Sequence, residues 1–183
     1  KVKAGDKAFN WQVQFSNVFD KGGFDVVIGN PPYGVIYDKN TKDYFKSKYL
    51  SFQGNLENYC FFTEKFIQLA KSGKGKIGLI VPITWLTIPQ FKNLREVVLN
   101  NYIDSIVELP TKVFSDADLD TLIGIFTKSN AKNKKVEVIK VIKADTGSFE
   151  NALQLPLLIH QSKWLDDKSY TIDLDYSESK EIL

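Results

Sequence analysis

The sequence predicts an α/β domain: a mostly parallel sheet flanked by helices, with an antiparallel hairpin at its end. Three observations carry that prediction. Short β-branched apolar runs recur along the chain, and most of them stop at a proline or glycine. Amphipathic segments of helical period stand between the first three of these runs, the pattern of strands joined by crossover helices. The later runs 103–109 and 121–127 follow one another without a helix, which permits an antiparallel pair.

Phe9-Asn10-Trp11-Gln12-Val13-Gln14-Phe15 alternates apolar and polar residues and reads as a half-exposed strand. Lys21-Gly22-Gly23 is a turn. Phe24-Asp25-Val26-Val27-Ile28-Gly29 reads as a strand buried on both faces. Asn30-Pro31-Pro32-Tyr33-Gly34 ends it, because two prolines remove two backbone donors. Residues 34–55 are polar, aromatic and Lys-rich, a loop with a short helix near Asp43–Lys48. Glu57–Lys71 is the strongest helix, with Tyr59, Phe62, Phe66 and Leu69 on one face and Gly73 as its stop. Lys76–Val81 is a buried strand closed by Pro82. Pro89 opens the next helix, with Phe91, Leu94 and Val98 on one side. Ile103–Leu109, Thr121–Thr127 and Val136–Ile142 complete the strands. The pattern weakens beyond this point. The expected division is therefore a catalytic portion, 1–145, and a connector, 146–183, leading to a further domain.

Composition narrows the function. The chain has 183 residues, with 24 Lys and Arg against 22 Asp and Glu, so net charge alone does not announce a nucleic-acid partner. Cys60 and His160 are single, which leaves no disulfide and no zinc site of the usual His/Cys kind. Cys60 stands in an apolar helical run and reads as core. No apolar run approaches the length of a membrane span and no signal-peptide pattern opens the chain, so a cytoplasmic protein is expected. The chain starts at Lys1 and holds no Met, which reads as a piece of a longer polypeptide.

Asn30-Pro31-Pro32-Tyr33 is where the chemistry lies. In open α/β sheets ligands bind beyond the carboxyl ends of strands. The lone pair of an aromatic exocyclic amine is delocalised into its ring. Two acceptors on its N–H groups favour a more tetrahedral nitrogen and aim the lone pair at an electrophile. The Asn30 side-chain oxygen is one acceptor and the Pro31 carbonyl the other. Tyr33 supplies a ring for stacking. Taken bare, the tetrapeptide is equally a simple turn.

Its context resembles a known family. FDVVIGNPPYG, Phe24–Gly34, is similar to the catalytic motif of N6-adenine DNA methyltransferases, most closely the large bacterial restriction–modification enzymes (type IIG-like). The resemblance continues through Asn58-Tyr59-Cys60-Phe61-Phe62-Thr63-Glu64-Lys65, Lys76–Leu86, Ile106-Val107-Glu108-Leu109-Pro110, Val113-Phe114 and Thr121-Leu122-Ile123, over roughly residues 9–130. It implies the C-terminal part of a Rossmann-like fold that uses S-adenosylmethionine. It also implies that Asn30 and Pro31 bind the target amine, that Tyr33 stacks on an extruded base, and that Phe114 contacts the base from the other side. The family's glycine loop and ribose-binding carboxylate precede the motif and are absent from residues 1–29, so half of the cofactor site is expected to be missing. Asn17, with Asn30, is the candidate cofactor contact that remains.

The implied partners are double-stranded DNA, with no membrane, and the remaining domains of the parent polypeptide. Lys39, Lys42, Lys46 and Lys48 are candidates for phosphates, or else a solvated helix face. Lys128, Lys132, Lys134 and Lys135 read as a charged hairpin turn, and Glu178-Ser179-Lys180 as a chance match to a nuclease fragment. Two alternatives stay open. The same motif occurs in methyltransferases acting on RNA guanine or protein glutamine, and the chain alone is equally readable as a non-catalytic DNA-binding or structural module.

Overall fold

A computed structural model of the chain describes residues 9–52, 57–111, 113, 119–129, 135–140, 146–154 and 156–174. Among them are six strands in one sheet: β1 Val26–Gly29, β2 Lys76–Pro82, β3 Tyr102–Glu108, β4 Thr121–Thr127, β5 Lys135–Lys140 and β6 Leu157–His160. Their order is β1-β2-β4-β3-β5-β6. β1 and β2 pair in parallel, as do β3 and β5, while β4 runs antiparallel between β2 and β3, and β6 antiparallel to β5. Four strands thus share one direction, and β3–β4 is the antiparallel hairpin that the missing helix between them foretold.

Helices α4, Asn58–Leu69, and α5, Lys92–Leu99, follow β1 and β2, and their apolar sides meet one face of the sheet. Ile77, Leu79 and Val81 of β2, Ile103 and Ile106 of β3, and Leu122 and Phe126 of β4 form the main core with Tyr59, Ile67, Leu94, Val98 and Leu99. α4 is buried more widely than a single stripe: Cys60, Phe61, Thr63 and Glu64 are buried too, whereas Phe62 faces outward. The helix ends before the expected Lys71: Leu69 is its last residue and Ala70 is already extended, so Gly73, at φ 84°, turns the chain beyond the cap rather than stopping the helix. The Pro89 helix begins as a 3₁₀ turn, Pro89–Phe91, before α5.

Two expectations change near the start of the chain. Residues 9–15 are not a strand. Trp11–Gln14 is a short helix, α1, capped by Asn10, whose side-chain oxygen accepts from the Val13 N–H at 3.3 Å, and Ser16–Phe19 is a second, α2. The deciding pattern is the aromatic series at 11, 15 and 19. These side chains stand one helical turn apart, and all three gather on Phe24; the Trp11 and Phe15 rings stack at 5.7 Å. The other change concerns β1, which is covered on one face only. Val27 joins the core and Gly29 meets Phe66, but Val26 and Ile28 are 59% and 75% exposed. The opposite sheet face is covered by helix α6, Thr146–Leu153, whose Phe149 and Ala152 pack on a small cluster of Val107, Leu109 and Ile139. That cover belongs to the β3–β5 side, and among the described residues no helix covers the outward face of β1.

Part of the segment expected to be a connector is packed structure. β6 extends the sheet. Gln161 is fully buried; its oxygen accepts from the Ile103 N–H at 2.9 Å and its amide donates to the Leu99 and Asn101 carbonyls at 3.2 and 2.7 Å. Trp164, in helix α7, Ser162–Leu165, and Ile172 complete the core, and the Ile172 N–H donates to the Leu86 carbonyl at 2.9 Å. Arg95, also fully buried, donates to the carbonyls of Trp85, Ile88 and Ser169 and so ties this segment to the turn after β2. Apolar periodicity is weak here because polar side chains, Gln161 and Arg95, do much of the joining.

Candidate active site

β1 delivers Asn30 to the carboxyl end of the sheet. Its last residue, Gly29, lies so close to α4 that a Cβ would fall 2.9 Å from the Phe66 ring, so the strand end is held tight against that helix. Pro31 is buried, while Asn30 and Pro32 are exposed. The motif then turns back. Tyr33 places its hydroxyl 3.1 Å from the Asn30 Oδ1 and 3.0 Å from the Ile80 carbonyl. The phenol has one proton, so it donates to one acceptor at a time. Either bond joins Tyr33 to an element already fixed by the β1–β2 register, in which Gly29 stands opposite Leu79. The half-buried ring meets the Tyr59 ring edge-on, with centroids 6.3 Å apart. Burial pushes the phenols of both tyrosines above their ordinary range, so each stays neutral. Burial likewise pushes the Cys60 thiol up, which leaves it an inert core residue.

The next anchor is Tyr37. Its hydroxyl donates to the Asn58 side-chain oxygen, and its ring meets Phe45 edge-on at 5.1 Å. Helix α3, Lys39–Lys48, begins directly afterwards, capped by Asp38, which accepts from the Thr41 N–H at 2.9 Å. The helix is longer than the expected Asp43–Lys48, because Asp38 caps it one turn earlier. Phe45 of the helix stacks on Phe61 at 4.5 Å, and Tyr49, its C-terminal cap, lies 5.3 Å from the same ring. Lys39, Lys42, Lys46 and Lys48 all face solvent. The turn after α3 is held by Glu64, a buried carboxylate that accepts from the Leu50 and Ser51 N–H groups at 3.1 and 2.8 Å.

Asn30, Pro31 and Tyr33 are therefore brought together, and Pro32 continues the same turn. Asn17 is not brought to them. It is exposed in α2, whose Phe19 packs on Phe24, and Phe24 lies six residues, roughly 20 Å of extended chain, before Asn30. Phe114 falls outside the described residues; its neighbour Val113 packs on the small cluster beneath α6. Lys132, Lys134 and Glu178–Lys180 also lie outside them. Lys128 stands in the bend after β4, where its amine donates to the Gln68 and Ala70 carbonyls at 3.0 and 2.8 Å at the end of α4; β4 and β5 are not neighbours in the sheet, so the two strands form no hairpin. Sequence reasoning missed Tyr59, Glu64 and the Ile80 carbonyl. A lone acid inside an apolar helix was a readable signal for Glu64; a backbone carbonyl leaves none.

The chain is similar to known proteins. The chain is 29% identical over 164 residues to RM.MjaORFECS2P of Methanocaldococcus jannaschii, assigned as a type II restriction enzyme and methyltransferase, covering 88% of this chain and 13% of that protein. It is 28% identical over 151 residues to the type II restriction enzyme and methyltransferase RM.Eco57I of Escherichia coli, covering 78% and 15%. The chain thus spans a small part of each relative's length. The structure superposes on the methyltransferase subunit of a type I restriction–modification system from Streptococcus thermophilus with TM-score 0.65 at 19% identity, covering 83% of this chain and 37% of that one, so the two share a fold. Among the described residues no helix is long and apolar enough to cross a membrane. The model of the Eco57I restriction-modification methylase family matches residues 1–114, a stretch that holds the strand end, the Asn30–Tyr33 turn and both covering helices, and the chain belongs to that family.

Proposed function

We propose that this chain is the catalytic half of a site-specific DNA methyltransferase that transfers a methyl group to adenine N6, as part of a restriction–modification enzyme. The observation that carries the reading is the exposed Asn30 amide at a strand end, held by the Tyr33 hydroxyl beside the rigid Pro31. Asn30 Oδ1 and the Pro31 carbonyl accept from the two N–H groups of the target amine. The nitrogen lone pair is then directed away from both acceptors. When the amine arrives, the Tyr33 hydroxyl keeps its proton and turns its hydrogen bond to the Ile80 carbonyl, which frees the Asn30 oxygen without leaving the phenol unpartnered. Positioning of this kind supplies several kcal/mol without a strong base. Adenine N6 is reached in line only when the base leaves the helix, which costs a few kcal/mol. Stacking on Tyr33, and on Phe114 from the far side, returns about 1–3 kcal/mol per ring.

S-adenosylmethionine supplies the methyl group in this reading, and the rest of the longer polypeptide completes its site. Of the acids near β1, Asp25 lies at the amino end, beside Lys71, and Asp20 precedes it; neither stands near Asn30. The outward face of β1, with Val26 and Ile28 exposed, is the surface on which we place the cofactor-binding portion of the longer polypeptide.

The test is methyl-group labelling by the full-length polypeptide, offered duplex DNA, ribosomal RNA and a glutamine-bearing peptide in parallel. Label recovered as N6-methyladenine in DNA, and lost in Asn30→Ala, supports the proposal. Label on RNA guanine or on glutamine assigns the motif to those substrates, and label on none of the three leaves the chain a structural module.

A further inference from the structure

Gly34, Val35 and Ile36 lie between two anchored tyrosines. Tyr33 is fastened to β1 and β2 through Asn30 and Ile80, and Tyr37 to α4 and α3 through Asn58 and Phe45. Gly34 adopts φ 68°, which turns the chain outward between them. At the tip Ile36 is 94% exposed, the largest value among the exposed large apolar residues, and Val35 beside it is 38% exposed. A single exposed apolar residue is ordinary on a protein surface. Here, however, both ends of the short loop are tied to the elements that build the candidate pocket. An isoleucine is thus held outward three residues from the stacking ring. On the far side the exposed Lys39, Lys42 and Lys46 stand at spacings of three and four along α3, with Asp43 the single acid among them, a net positive helix that begins three residues after the apolar tip.

We propose that Ile36 is a DNA wedge. It enters the duplex beside the target base and occupies the space that the extruded base leaves, while these lysines hold the adjoining phosphates. Apolar side chains inserted between base steps are a known way to stabilise distorted duplexes. The helix supplies the charge complementarity that makes nucleic acid, rather than another protein surface, the occupant. The inference rests on the reading of this chain as a base-flipping DNA methyltransferase.

The experiment uses the full-length polypeptide with 2-aminopurine at the target position. Ile36→Ala is expected to weaken duplex binding roughly tenfold or more, as the burial of three carbons is lost. It should also lower the fluorescence of the flipped base, and Ile36→Leu should restore both. The loss should be at least several times smaller on single-stranded DNA, where no stack has to be filled. Equal losses on both substrates together with a lower Tm mean that Ile36 is covered by protein, and overturn the wedge. Unchanged duplex binding and fluorescence overturn it as well. A wild-type protein that neither flips nor methylates DNA overturns the reading beneath it, and the wedge with it.

Discussion

At the scale of single residues, Asn30 and Tyr33 divide the labour. Asn30 is exposed and buries little, so Asn30→Ala in the full-length polypeptide should lower kcat roughly a hundredfold or more while leaving Tm nearly unchanged; the magnitude is that of losing a preorganised polar group at a reacting centre. Tyr33→Phe keeps the ring and removes the hydroxyl that meets Asn30 and Ile80. It should cost about two- to tenfold in kcat, the net worth of a hydrogen bond, with base capture preserved. Tyr33→Ala should lose a further 1–3 kcal/mol or so of stacking, visible as weaker 2-aminopurine flipping. Identical kinetics for the Phe and Ala variants would show that the ring touches no base. The sequence placed Asn30, Pro31 and Tyr33 correctly in one turn, because two prolines after an apolar strand leave the backbone little choice. It could not show that the Tyr33 hydroxyl reaches the Asn30 oxygen, since that depends on the β2 carbonyl 47 positions away along the chain.

At the scale of elements, α3 depends on α4 for its position. Glu64 presents two carboxylate oxygens to the Leu50 and Ser51 N–H groups, and Gln68 donates to the same side chain at 3.2 Å. Glu64→Gln leaves one acceptor and turns an NH2 toward a backbone donor. A stability loss of about 1–3 kcal/mol is expected by chemical denaturation, together with faster proteolysis near residue 50. If the variant matches the wild type in both, the turn is held by the aromatic stack on Phe61 alone. The start of the chain shows how an element is misread. Apolar residues at 9, 11, 13 and 15 suggested a strand, but the same sequence carries aromatics at 11, 15 and 19. The second period prevailed because Phe24 offers those rings a common partner.

At the scale of the whole molecule, the segment 157–174 closes the core through Gln161, Trp164 and Ile172, so a chain truncated at residue 156 should fail to give a cooperative thermal transition. A normal transition would show that the sheet is stable with β5 as its edge. The isolated chain should bind S-adenosylmethionine weakly or not at all, because neither Asp20 nor Asp25 stands near Asn30; micromolar affinity by calorimetric titration would refute this. Alkaline pH supplies a separate test of the core. Burial raises the Tyr59 phenol above its ordinary 10.0. Below that value both folded and unfolded chains keep the proton, and its contribution to stability is complete. As pH rises through 10.0 toward the folded value, only the unfolded chain releases it, so stability falls. Tm measured from about pH 8 to about pH 11 should decline more steeply in the wild type than in Tyr59→Phe.

The sequence by itself determined the strand that leads into Asn30, the helices on either side of β2, the hairpin of β3 and β4, and the Asn30–Tyr33 turn at the strand end. Each follows from local rules: prolines that stop strands, and periodicities of two or 3.6. Tertiary structure alone decided which face of β1 is exposed, how Tyr33 is held, where Asn17 stands and how residues 157–174 return to the core. Those outcomes hang on contacts between distant positions, many made by backbone carbonyls or by buried polar side chains such as Gln161 and Arg95. Such groups look like surface residues when read one position at a time; only their partners, supplied by the fold, make burial favourable.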